Sequence, residues 1–210
     1  MKRQSILVLA VLCLAFVAGN GWRDLTLPNT GAGGISVETN YVLSYAPTLD
    51  ETPMPMTAYV TPRPTGGWAA APAGSEWISP TRDFHETTRG YHFYRLSFAI
   101  PGLTAITGQW ATDNNAQIFL NGKSTGITKG LDGYWSVTPF SITSGFTGND
   151  TLTFRVWEEH SGSPTGLLVT NLLTNLDPGF SLPGPKPVPL PGAARRARLE
   201  LCRIAAETCM

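Results

Sequence analysis

Three histidines, two adjacent glutamates, six tryptophans and a few aspartates at turn signals are the residues of this 210-residue chain whose types could do chemistry. His85-Glu86 opens a string like the zinc-protease His-Glu-x-x-His, but Arg stands at position 89. The second imidazole that zinc needs one helical turn later is therefore missing. Asp83 and His85 would share one face of a strand, without a third ligand. Glu158 and Glu159 are neighbours, so a strand would send them to opposite faces and they cannot flank a glycosidic bond together. No Gly-x-Ser-x-Gly elbow, phosphate-binding loop or dinucleotide fingerprint occurs. A dispersed Ser/His/Asp arrangement around His85, His92 or His160 stays open, with nothing to select one of them. No catalytic residue is assigned, and the expectation is a protein that is not an enzyme.

Binding chemistry has better material. Aromatic faces stack on sugar rings through dispersion, while Asn side chains bond hydroxyl groups. Trp110 and Tyr94 fall on apolar strand parities and are expected in a core. Trp157 has the opposite parity to Leu152, Phe154 and Val156, and Trp68 lies in a loop between Gly66-Gly67 and Ala69-Ala70. Those two, with Asn114 and Asn115, are the candidate ligand-binding residues, and an extracellular polysaccharide is the ligand they would suit. Asp113 and Asp132 are acidic turn residues able to hold a structural Ca²⁺ through carboxylate oxygens; no other cofactor is expected. Asn149-Asp150-Thr151 fits a glycosylation sequon.

The elements that would carry these residues are strands. Period-two alternation runs through Ile35, Val37, Tyr41, Leu43 and Tyr45, and again through Tyr94, Leu96, Phe98 and Ile100. It recurs around Met56 to Val60, Ile106 to Trp110, Ile118 to Leu120, Val137 to Ile142, Leu152 to Val156 and Leu167 to Leu173. Turn signals separate the runs at Pro101-Gly102, Asp113-Asn114-Asn115, Asn121-Gly122, Asp132-Gly133 and Gly148-Asn149-Asp150. No window shows a convincing helical period. The expectation is an all-β chain, a single jelly-roll sandwich of about eight or nine strands.

Composition agrees and limits the partners. Charged residues make up 14% of the chain, against roughly 25% in ordinary globular proteins. Fifteen basic side chains balance fifteen acidic ones, and residues 22 to 192 hold 9 basic against 13 acidic. No basic field exists to gather nucleic acid, and a monomer is expected. Cys13, Cys202 and Cys209 all lie near the ends, so the middle must hold without disulfides, thiol nucleophiles or cysteine-bound zinc.

Those ends read as addresses. Lys2 and Arg3 precede an apolar run from Ile6 to Ala18, long enough for a secretory signal and short of the roughly 20 residues that span a bilayer. Residues 1 to 21 are the expected signal peptide and 22 to 181 the sandwich. Residues 182 to 192, with proline at every second position from 183 to 191, form an extended spacer. Residues 193 to 210 are a basic tail.

Trp110 to Gly122, WATDNNAQIFLNG, resembles the galactose-binding-like jelly rolls, in which an aromatic strand end, an Asp-Asn turn and a closing Leu-Asn-Gly recur. Ser75-Glu76-Trp77-Ile78, Gly148 to Phe154 and Pro164 to Leu167 fit the same pattern, so the likeness covers roughly residues 35 to 170. The whole layout, ending in Val188-Pro189-Leu190-Pro191, resembles exported bacterial proteins with a PEP-CTERM sorting tail. That resemblance implies an exosortase-type processing enzyme as partner. It also implies a place at the cell surface, in the exopolysaccharide matrix or in the periplasm of a Gram-negative bacterium. The tail departs from the pattern: Leu190 stands where Glu is commoner, and Arg195 and Arg196 replace the start of an apolar helix. The chain beyond Ala194 accordingly reads as a frameshifted or degenerate end.

Overall fold

A computed structural model describes residues 25–32, 37–62, 67–84 and 87–180. The sorting motif at 188–191, the signal peptide, the spacer, the basic tail and His85 lie outside the described residues.

The alternating segments pair into two antiparallel six-stranded sheets. In the first, the order is β10 (Thr138–Ile142), β7 (Leu103–Asp113), β12 (Gly166–Leu176), β5 (Trp77–Ser79) and β4 (Tyr59–Thr61). β1 (Leu25–Thr26) also pairs with β12. The second sheet runs β3 (Met54–Met56), β2 (Val42–Ala46), β6 (Gly90–Ala99), β11 (Asn149–Glu158), β8 (Asn115–Leu120) and β9 (Lys123–Lys129). The chain is thus an all-β sandwich, and its one helical piece among the described residues is a 3-10 turn at Leu131–Tyr134.

Strand alternation decides which side chains close the sandwich, because successive residues face opposite sides of a sheet. Tyr94 and Leu96 of β6, Ile106 and Trp110 of β7, Ile118 and Leu120 of β8 and Phe154 of β11 all lie in one buried cluster between the sheets. Trp110 and Phe154 centre that core with ring centroids 5.8 Å apart. The core placement expected for Trp110 and Tyr94 holds, at 1% and 0% exposure.

Among the described residues twelve strands are present rather than eight or nine. The surplus comes from strands too short or too polar to show a period: β1 has two residues, β5 three, and β9 reads KSTGITK at the sheet edge. Turn chemistry matches expectation at Asn121-Gly122, whose φ angles of 51° and 75° make the two-residue return between β8 and β9. The Asp113-Asn114-Asn115 segment is tighter than a three-residue turn. β7 keeps Asp113 and β8 begins at Asn115, so Asn114 alone carries the chain from one sheet to the other.

Candidate functional site

The outward parity of the second sheet is where residues able to bind a ligand collect. Cross-strand register sets their positions: Tyr91 of β6 stands opposite Trp157 of β11, which stands opposite Asn115 of β8. One rung on, Ser44 of β2, Phe93, Arg155 and Gln117 follow across the four strands. The next rung holds Arg95, Thr153 and Phe119. With strands about 4.8 Å apart, these four strands make a face about 14 Å wide.

An outward face is ordinarily polar, yet Tyr91, Phe93, Phe119 and Trp157 are all only half-buried there. Tyr91 and Trp157 pack with ring centroids 4.4 Å apart at 39°, leaving the aromatic surface stepped rather than flat. Arginines fill the intervals. The Arg155 guanidinium carbon lies 4.6 Å from the Phe119 ring centre and 5.5 Å from that of Tyr91. Arg95 lies 5.1 Å from Phe93, and Arg89, just before β6, lies 5.7 Å from Trp157. Arg95 donates through Nη1 to Ser44 Oγ, and Arg155 donates through Nη2 to Gln117 Oε1 at 2.7 Å. Burial lowers the Arg95 pKa from its usual value. The face therefore combines aromatic surface with fixed donors, the mixture that holds a polyhydroxylated ligand by stacking and by hydrogen bonds.

Two of the four sequence-nominated ligand residues stand here. Trp157 faces outward as its parity requires, and Asn115 sits beside it, donating through Nδ2 to Glu159 Oε1 at 3.0 Å. Asn114 belongs elsewhere: its Nδ2 donates at 2.9 Å to Glu158, whose carboxylate is fully buried. His160 N donates to the other Glu158 oxygen at 2.9 Å. Glu158 and Glu159 do take opposite faces, inward and outward.

Trp68 corrects the expectation of an exposed loop platform, being only 4% exposed. Its loop folds down over the outer side of the first sheet, where Trp77, Ala111 and Leu168 present a second apolar cluster. Trp68 packs on Trp77 with centroids 4.3 Å apart, and the strap is fastened by Trp77 Nε1 donating to Ala69 O at 3.0 Å. The Ala69 amide adds a bond to Tyr134 O at 2.7 Å. Apolar residues on both parities of β12 force this, since a strand apolar on both faces must be covered on both.

Asp113 likewise corrects the reading of an exposed acidic turn residue. It is 5% exposed at the end of β7, and its carboxyl is pushed up to about 7. Burial is the main cause and the nearby charge of Glu158 the second, opposed by a hydrogen bond from Trp68. Asp132 is exposed within the 3-10 turn. Among the described residues no three His, Cys, Asp or Glu side chains form a group able to hold a metal ion.

Sequence reasoning passed over Tyr91, Phe93, Phe119, Arg95 and Arg155. Their signal was available: β6, β8 and β11 each carry an aromatic residue on the parity opposite to their core residues. Trp135, which follows the 3-10 turn and is 60% exposed, was also missed. It is the most exposed tryptophan among the described residues, but stands apart from the aromatic face with Tyr134 as its ring neighbour.

No protein-family model and no curated protein matches the chain. Solved structures that share part of its layout include a family 35 carbohydrate-binding module from Clostridium thermocellum, at 12% identity and a TM-score of 0.35. That match covers 56% of this chain and 86% of the module. A family 29 carbohydrate-binding module matches at 14% identity and a TM-score of 0.30, over 56% of this chain and 84% of that one. The enzymatically active domain of tailspike protein 4 from bacteriophage CBA120 matches at 14% identity and a TM-score of 0.38. There the match spans 70% of this chain but only 20% of the tailspike. At such scores the likeness assigns no function.

Proposed function

We propose that this sandwich is a non-catalytic carbohydrate-binding domain whose ligand lies on the outer face of the second sheet. The single observation that supports it is the aromatic ladder of Tyr91, Phe93, Phe119 and Trp157 interleaved with Arg95 and Arg155 on a parity where solvent is expected. Stacking surface and hydrogen-bond donors then occur at strand spacing, on a rigid sheet rather than on loops. The buried carboxylates at the sandwich end serve the fold in this reading, because both Glu158 oxygens accept hydrogen bonds from the chain itself. A protein so built suits an exported location, the cell surface or its polysaccharide matrix. Residues 1 to 21 and 188 to 191 carry that part of the reading, together with processing by an exosortase-type enzyme.

Isothermal titration of the full chain with a panel of neutral and acidic polysaccharides tests the assignment. Binding at millimolar ligand or tighter, about −4 kcal/mol or better, is expected for at least one of them. Trp157→Ala should weaken it at least tenfold, whereas Trp135→Ala should leave it within twofold. Loss of binding in Trp135→Ala with Trp157→Ala unaffected would move the site to the 3-10 turn and defeat the proposal.

A further inference from the structure

Resting on that carbohydrate-binding role, we infer that the outer face of the second sheet selects an acidic polysaccharide, its arginines taking the sugar carboxylates. Arg89, Arg95 and Arg155 lie among the aromatic rings of this face, and among the described residues no carboxylate is in ion-pairing contact with them. The nearby acidic side chain, Glu159, is engaged by Asn115 instead. Each guanidinium carries five N–H donors, and the protein takes one from Arg95, for Ser44, and one from Arg155, for Gln117. Among the described residues the remaining donors of Arg95 and Arg155 have no acceptor. Three cations on one face without a carboxylate partner among the described residues stand out in a domain whose residues 22 to 192 carry more acidic than basic side chains.

The planar guanidinium matches a planar carboxylate with two parallel hydrogen bonds, a fit that a lysine's point charge does not reproduce. The rings beside each arginine would at the same time stack on the faces of the sugars that bear those carboxylates. A guanidinium stacked on an aromatic face keeps its N–H donors at its edge, where a ligand can reach them. A single-stranded nucleic acid is the less fitting polyanion. Such ligands track along a broad positive groove, and the balanced overall charge of this chain supplies none.

The test uses the full chain and four probes: polygalacturonate, the same polymer with its carboxyl groups reduced to alcohols, dextran sulfate, and a single-stranded oligodeoxythymidine. Polygalacturonate should bind at least tenfold more tightly than the reduced polymer and the oligodeoxythymidine, and at least as tightly as dextran sulfate. Its affinity should fall several-fold as the Debye length contracts from about 10 Å at 0.1 M salt to about 3 Å at 1 M. Arg95→Gln and Arg155→Gln should each remove most of that preference, with their thermal unfolding followed to show that the fold persists. Equal affinity for the native and reduced polymers would overturn the acidic selectivity while leaving carbohydrate binding standing. Tighter binding of dextran sulfate or the oligonucleotide would overturn it in favour of bare charge. Failure to bind either form of the polymer, together with every neutral glycan of the panel, would remove both proposals.

Discussion

At the scale of single residues, Asp150 shows how much of this fold depends on one carboxylate. It is 2% exposed, and its oxygens accept from the backbone N–H groups of Thr147 and Gly148, from the Thr147 hydroxyl and from Asn121 Nδ2 at 2.7 Å. Burial alone would raise its pKa; these bonds outweigh it and hold the carboxyl below its ordinary value. Asn121 reciprocates, its Oδ1 accepting from Thr151 N at 2.9 Å, so the β8–β9 return is tied to the start of β11. Replacing the acceptor strands several donors at once, and a buried group left unpaired costs about 1–3 kcal/mol, more where a charge was involved. Asp150→Ala is therefore expected to lose about 3 kcal/mol in urea denaturation. A loss under 1 kcal/mol would show that water replaces the carboxylate without penalty.

At the scale of elements, the strap at residues 67–76 separates a structural tryptophan from the one proposed to bind ligand. Trp68 fills the space over Trp77 and Leu168, and truncating a buried tryptophan to alanine costs about 3–5 kcal/mol. Trp68→Ala should lower stability by about that much while leaving polysaccharide affinity unchanged in titration, the opposite pattern to Trp157→Ala. A drop in affinity without a drop in stability would contradict the packing role. The same pair shows what sequence makes legible. Trp157 was readable because ten residues of β11 fix its parity; a loop tryptophan has no parity, and only the long-range fold of the strap decides its exposure. Alternation revealed β6, β7, β11 and β12 for the same reason. It could not reveal β5, whose three residues are all buried, or β9, whose side chains meet solvent along an edge. The proposed binding face was legible one residue at a time, at Trp157 and Asn115. Its full extent depends on which strands become neighbours, and cross-strand register is a property of the folded sheet.

At the scale of the whole molecule, a sandwich whose middle has no cysteine holds without disulfides, and two of its buried titratable side chains make that stability depend on pH in opposite ways. His92 is fully buried, neither ring nitrogen has a hydrogen-bond partner among the described residues, and burial lowers its pKa from 6.5 to about 4. Between those values the unfolded chain binds the proton and the native one does not, so His92 makes stability fall as pH falls from 6.5 towards 4. Asp113 acts in reverse. Raised from 3.8 to about 7, it keeps its proton in the native state where the unfolded chain has lost it, so its contribution is full below pH 3.8 and is lost as pH rises through about 7. The two slopes offset each other between about pH 4 and 6.5, and above that window the Asp113 loss acts unopposed. Melting temperature should consequently be nearly flat on the acid side and decline from about pH 6.5 to 7.5. Glu158, whose carboxyl burial also raises, acts in the same direction as Asp113. Asp113→Asn should therefore weaken that decline and unmask more of the His92 slope, so that the variant loses stability relative to the parent protein as pH falls from 6.5 to 4. His92→Leu should do the converse, melting higher as the pH is lowered across the same range. Identical pH profiles for the three proteins would mean that neither group changes its protonation on unfolding.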